Sequence, residues 1–182
     1  MRARNAPMNS PRRFLLALLT AVTLGASACA QGHMQSPPGT AEVTLNGKQI
    51  SITYSRPSMH GRKIMGDLVP YGHVWRTGAN SATALTTPID LAIGKAKVPA
   101  GSYTLYTLPS EGTWKLIINK QTGQWGTEYN EDQDLARVSM QKQKLTSPVE
   151  EFTISWTTKG DDSADLVLEW ETTRLIVPVR AR

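Results

Sequence analysis

AEVTLNGKQISITYS, residues 41–55, decides the fold class. Asn46-Gly47 splits it into two runs in which every second residue is apolar: Val43 and Leu45 before the pair, Ile50, Ile52 and Tyr54 after it. A period of two buries one face of a strand, and Asn-Gly supplies the two positive-φ residues of a tight hairpin turn. The spacing predicts a β-hairpin, and the rest of the chain repeats its period.

Trp114, Leu116 and Ile118 alternate with Lys115 and Asn119; Phe152, Ile154 and Trp156 alternate with Thr153 and Ser155. Leu166, Leu168 and Trp170 alternate in the same way with Glu169 and Glu171. Turn-forming clusters, Pro109-Ser110-Glu111-Gly112 and Lys159-Gly160-Asp161-Asp162, separate such runs. Leu175, Val177 and Val179 make a last strand, in which Pro178 marks an edge or a strand end. Only Asn130 to Val138 suggests a helical turn, capped by Asn130 with acidic residues behind it. Roughly eight to ten short strands with little helix describe an all-β chain, an antiparallel β-sandwich or a jelly-roll-like barrel.

The first residues read as an export signal. Arg2, Arg4, Arg12 and Arg13 precede the apolar run Phe14 to Leu24, followed by the small residues of GASACA. Two cleavage schemes fit: a cut before Cys29 with lipidation of its thiol, or a cut after Ala28-Cys29-Ala30 that discards it. Either way residues 1–30 are a signal segment, 31–40 with Pro37-Pro38 a flexible tether, and 41–182 a single β domain. The formal charge of +5 resides in the leader, because removing its four arginines leaves 16 basic against 15 acidic groups. No basic stripe remains for nucleic acid, and a membrane is reached only through a lipid at Cys29.

Metal and cofactor chemistry finds no motif. His33, His60 and His73 form no HxH or HExxH spacing, and Cys29 is the one cysteine, so no intrachain disulfide forms. Asn130, Asp132 and Asp134 imitate a calcium loop, but Leu135 stands where the glycine is needed and Gln141 where the closing glutamate is. There is no G-x-S-x-G elbow.

What remains is the long segment SRPSMHGRKIMGDLVPYGHVWRTGANSAT, Ser55–Thr83, which concentrates Arg56, Arg62, Tyr71, Trp75, Arg76 and Asn80. Long loops in compact β domains are functional or specially packed. If Ile50, Ile52 and Tyr54 face inward, Arg56 follows them, and Pro57 keeps it extended. An inward guanidinium needs partners. Either the arginines bond protein carbonyls or a carboxylate such as Asp67 while Tyr71 and Trp75 plug the sandwich end, or with Asn80 they line a cleft for an anionic or polyhydroxy ligand.

That segment, together with VPAGSYTLYTLP at 98–109, WKLIINK at 114–120 and QWG at 124–126, resembles the bacterial domain family DUF2911, over Ala41 to the C-terminus. The resemblance implies an exported, often lipoprotein-like β domain without an assigned activity. It implies that Arg56, Arg62, Tyr71, Trp75, Arg76, Thr77, Asn80, Asn119 and Trp125 belong to the family pattern, and it puts no weight on His73. The leading expectation is a non-catalytic envelope binding module whose polar-aromatic cleft includes Asn119 and Trp125. The alternative is a hydrolase of envelope glycan or ester substrates, with His60 or His73 as base near Asp67 or a serine. A purely structural scaffold is the third reading.

Overall fold

The computed structural model of the protein describes residues 36–182. The signal segment 1–30, the two schemes at Cys29 and the first half of the tether lie outside the described residues. In chain order the strands are β1 (Pro38–Leu45), β2 (Lys48–Ser55), β3 (Thr83–Thr87), β4 (Leu91–Ile93), β5 (Ala96–Val98), β6 (Gly101–Leu108), β7 (Lys115–Asn119), β8 (Asp134–Ser139), β9 (Gln141–Gly160) and β10 (Ser163–Ala181). They form a six-stranded sheet, β1-β2-β3-β6-β7-β8, and a four-stranded sheet, β5-β4-β10-β9, with antiparallel pairing throughout. This is the all-β sandwich that the alternation implies.

The hairpin of residues 41–55 closes as its sequence requires. Leu45 pairs with Lys48, and Asn46 and Gly47 take φ values of 48° and 71° between them. β1 starts earlier than expected, at Pro38, inside the segment assigned to the tether. Pro38 opposes Ser55 at the end of an edge strand, where a missing N–H costs nothing, and Pro37 O accepts from Arg56 N at 2.8 Å. The buried face of the hairpin, Leu45, Ile50 and Ile52, packs with Leu85, Leu105, Leu116 and Ile118 of the same sheet against Phe152, Leu166, Leu168, Trp170 and Val177 of the other, each no more than 2% exposed.

The helical expectation at 130–138 holds for only one turn. Asn130 caps a 3-10 turn over Glu131–Gln133, its side chain accepting from Asp132 N at 3.0 Å, and the chain then extends into β8. Leu116 and Ile118 of β7 need a neighbouring strand there, and Val138 and Ala136 supply it by pairing with them. Pro178 lies just past Ile176, the last β10 residue paired with β9, and just before Val179, the first paired with β4.

Two features set up the functional region. β10, 19 residues long, would span about 60 Å if straight, yet Ala181 N reaches Asp162 O at 2.7 Å. The β9–β10 hairpin folds over at a bulge where Glu169, Glu171 and Thr173 oppose Thr153, Val149 and Lys144. Pro148, without an N–H, cannot continue that ladder. The second feature is that β7 is buried on both faces: Ile117 and Asn119 are 0% exposed, so Asn119 does not face solvent as the alternation suggests. The segment between β7 and β8 lies over this outer face, where Gln124 Nε2 donates to Thr104 Oγ1 at 3.1 Å and to Tyr106 Oη at 3.0 Å.

Ile118→Ala removes a fully buried side chain beside the core and is expected to lower unfolding free energy by about 2–5 kcal/mol in urea titrations. Lys115→Ala on the same strand, exposed, should change it by less than about 0.5 kcal/mol.

Candidate functional site

The central segment crosses from one sheet to the other. After β2, Pro57 O accepts from Phe152 N and Met59 N donates to Glu150 O, both at 2.9 Å, so the chain runs along β9. Ile64, Met65 and Val69 then enter the core, and the Glu171 carboxylate at the bulge accepts from Ile64 N and Met65 N, each at 3.3 Å. The segment returns to the first sheet at Trp75, whose N–H and C=O both pair with Thr107, at 2.8 and 2.9 Å. β3 pairs with β6 only as far as Leu105, so Trp75 takes the place that β3 leaves open.

Parity then assigns the side chains. Tyr103 and Leu105 of β6 face the core, so Thr107 and its partner Trp75 face the same way. The Trp75 ring stacks on Trp170 at 5.7 Å and 17° and meets Phe152 edge-on at 5.0 Å and 71°. Arg76, one residue on, therefore turns to the outer face, where Tyr106 lies, and its stem rests on Gly126: a Cβ at 126 would lie 2.5 Å from Arg76 Cδ.

The next residues are held in an uncommon conformation. Thr77 is fully buried with φ 55°, rare for a β-branched residue, and Asn80 has φ 57°. Thr83 Oγ1 donates to Thr77 O at 2.7 Å, Asn80 Nδ2 donates to Ser36 O at 3.2 Å, and Gly126 N donates to Asn80 O at 3.1 Å. Gly78 packs so closely that a Cβ there would sit 2.9 Å from Ser55 O. Such strain persists only where surroundings over-determine it. Here it turns the chain sharply just after Arg76.

The expected site residues divide. Arg56 pairs with Glu151 at 2.8 Å across the sheets rather than with Asp67, which is exposed. Arg62 gives its Nε to Met59 O at 2.9 Å and its Nη2 to Ser58 O at 2.7 Å. Arg76 makes no ion pair and no side-chain hydrogen bond among the described residues. Asn119 is corrected to a structural role: fully buried, its Nδ2 donates to Asn130 O and Asp134 Oδ1, both at 2.8 Å, and its Oδ1 accepts from Gln121 N at 2.9 Å. Asn80 likewise spends its amide on Ser36 O and Ser55 Oγ. Tyr71 lies elsewhere, under Gly66 with Lys142 Nζ 5.9 Å from its ring centre. Trp125 is 46% exposed and bridges to Ser81 beside the Thr77–Asn80 turn.

Two concavities adjoin at Arg76, sharing Leu68, Trp75 and Arg76 in their walls. The first, about 270 Å³, adds His73, Tyr106, Gly126, Thr127 and Tyr129; the second, about 240 Å³, adds Arg62, Ala79 and Trp170. No carboxylate lines either one. Periodicity could not find Leu68, Tyr106, Thr127 and Tyr129, because only the fold brings their segments to Arg76. Among the described residues no cluster of three metal-ligating side chains occurs, and neither His60 nor His73 makes a side-chain hydrogen bond. Ser139 and Lys142 have S-x-x-K spacing, but they straddle the step from β8 to β9, and Lys142 Nζ is taken by Glu111 O at 2.9 Å.

Behind the first concavity the wall is polar and hydrogen-bonded. Tyr129 Oη donates to Asp134 Oδ2 at 2.6 Å, and Arg137 reaches Asp134, Tyr129 and Glu131 at 2.8, 2.8 and 2.6 Å. Burial, then the bond to the Asp134 carboxylate, pushes the Tyr129 phenol up to about 12, and Asp134 in turn holds the Arg137 guanidinium more firmly protonated.

Two outcomes follow. Gly126→Ala drives a Cβ into Arg76 Cδ and to 2.7 Å from Asn80 O, and should lower stability by about 1–3 kcal/mol by urea unfolding, whereas Gly112→Ala, with open space around it, should be near neutral. The raised Tyr129 pKa contributes stability that is complete below the ordinary phenol value of 10.0 and is lost as pH rises through about 12. Ultraviolet titration of wild type minus Tyr129→Phe should therefore show one phenol ionising near pH 12 instead of 10.

Searches among curated proteins and among solved structures each returned no match to the chain. The model of the family described as protein of unknown function (DUF2911) matches residues 36–179, from the approach to β1 to Val179, where β10 pairs with β4, and the chain therefore belongs to that family.

Proposed function

We propose that the protein is an exported cell-envelope binding module, non-catalytic, whose groove at Arg76 takes a small anionic ligand with an apolar body. Export rests on the charged, apolar and small-residue order of residues 1–30. The observation that carries the binding reading is the Arg76 guanidinium, unpartnered among the described residues while Arg56 holds Glu151 through Nη2, its buried Nε alone without an acceptor, and Arg62 is bonded to carbonyls, and set between two aromatic-walled concavities that no carboxylate lines. A half-buried guanidinium beside apolar walls gives an anion a charge-assisted, bidentate bond with little competition from water. A polyhydroxy ligand is less well served, because sugars want acceptors as well as donors and no carboxylate lines either concavity. The hydrolase reading has less support: His73 lines a concavity without a carboxylate in its wall, and His60 is exposed outside both concavities, where only its backbone N–H meets the Glu150 carboxylate.

Phenyl phosphate and the uncharged phenyl β-glucoside, titrated against tryptophan fluorescence, test this. The phosphate should bind, weaken as salt rises, and lose roughly tenfold or more in affinity with Arg76→Gln. Equal binding of the glucoside, or of phosphate by the variant, would overturn the assignment.

A further inference from the structure

We infer that the natural ligand is a phosphodiester, lying across Arg76 with one substituent in each concavity; this rests on the anion-binding reading above. The two concavities meet at one side chain instead of ending on it: Leu68, Trp75 and Arg76 belong to both, with Tyr106 and Thr127 on one side and Ala79 and Trp170 on the other. A ligand whose charge sits at its end, such as a carboxylate or a phosphate monoester, fills one concavity and leaves the other to water. A phosphodiester carries its charge in the middle, with two free oxygens matched to a guanidinium fork and two substituents leaving in different directions.

Charge agrees with this shape. Arg76 offers one free guanidinium, while Arg62, the other cation lining the second concavity, already gives Nε and Nη2 to carbonyls. One free fork suits the single negative charge of a diester better than the double charge of a monoester. The walls suit substituents with apolar surface: Trp75 and Leu68, which is 46% exposed, are common to both sides. Nucleic acid is not the source, since only one more basic than acidic group remains outside the leader and phosphate backbones demand clustered cations. The source is a small phosphodiester, either soluble or in a lipid headgroup.

Diphenyl phosphate and phenyl phosphate separate the alternatives, because charge alone favours the doubly charged monoester and the two-sided groove favours the diester. Wild-type protein should bind the diester roughly tenfold more tightly than the monoester, by isothermal titration. Thr127→Trp, which fills the first concavity, and Ala79→Leu, which fills the second, should each bring diester affinity down to the monoester level. Equal or weaker binding of the diester by wild type would overturn the inference while Arg76-dependent binding of phenyl phosphate left the anion site standing. Loss of the diester advantage in only one of the two variants would also overturn it. Glycerophosphoglycerol in solution and phosphatidylglycerol vesicles then identify the source: Arg76-dependent binding of either supports a phosphodiester from that source, and binding of neither counts against the inference.

Discussion

The structure around the groove depends on how Trp75 is held. Its backbone is locked to Thr107 in both directions, and its ring lies between Trp170 and Phe152 of the opposite sheet. Aromatic pairs of this kind add about 0.5–1.5 kcal/mol each beyond the area they bury. More important here is what they fix: once residue 75 faces inward, residue 76 must face outward. A long segment that leaves one sheet, crosses the other and returns could end in many registers, and this one contact selects the register in which Arg76 meets Tyr106 and Gly126. The turn after it is then closed by Thr77, Asn80 and their hydrogen bonds, at the cost of two non-glycine residues with positive φ.

Much of the fold was legible because it obeys one short-range rule. The Asn46-Gly47 turn, the alternations in β7, β9 and β10, and the interruption at residues 159–162 all occur where the residues place them, whereas Pro178 ends no strand: it lies inside β10, an interior strand of its sheet, where pairing passes from β9 to β4. The departures have physical reasons. Asn119 looks like a solvent-facing position in β7 until the segment over 120–133 buries it, and periodicity along one strand carries no information about a distant loop. Asn130 does start a helical turn, but a hydrogen-bonding edge at β7 outcompetes the helix after three residues. The site was legible as a set of candidates and not as a geometry: composition singled out Arg56, Arg62 and Arg76 together, and only the acceptors at Glu151, Ser58 and Met59 tell them apart.

The first concavity also borrows rigidity from a polar layer outside the main core. Asn119, Asp134, Tyr129 and Arg137 form a continuous chain of bonds, and Gln124 joins Thr104 to Tyr106 beside it. Buried polar groups are costly when half satisfied and specifying when complete. Two gaps remain beside this layer, at Gln121 Oε1 and Gln124 Oε1, both on the covering segment rather than on the strands beneath. The covering segment carries Trp125 and Gly126 to the Arg76 turn, so its anchorage is part of what places the guanidinium.

The early start of β1 has a mechanical consequence. Ser36 both accepts the Asn80 amide through its carbonyl and forms part of the wall of the second concavity, and Pro37 O takes the Arg56 N–H one residue later. The chain thus enters the domain along the rim of the groove. Tension applied to the chain at Ser36 bears first on these two hydrogen bonds, and so on the Asn80 turn behind Arg76, before any pair of the β1–β2 ladder opens. The strand that holds the domain to whatever precedes it and the wall that shapes its groove are the same few residues, which makes the groove's geometry sensitive to how the domain is held.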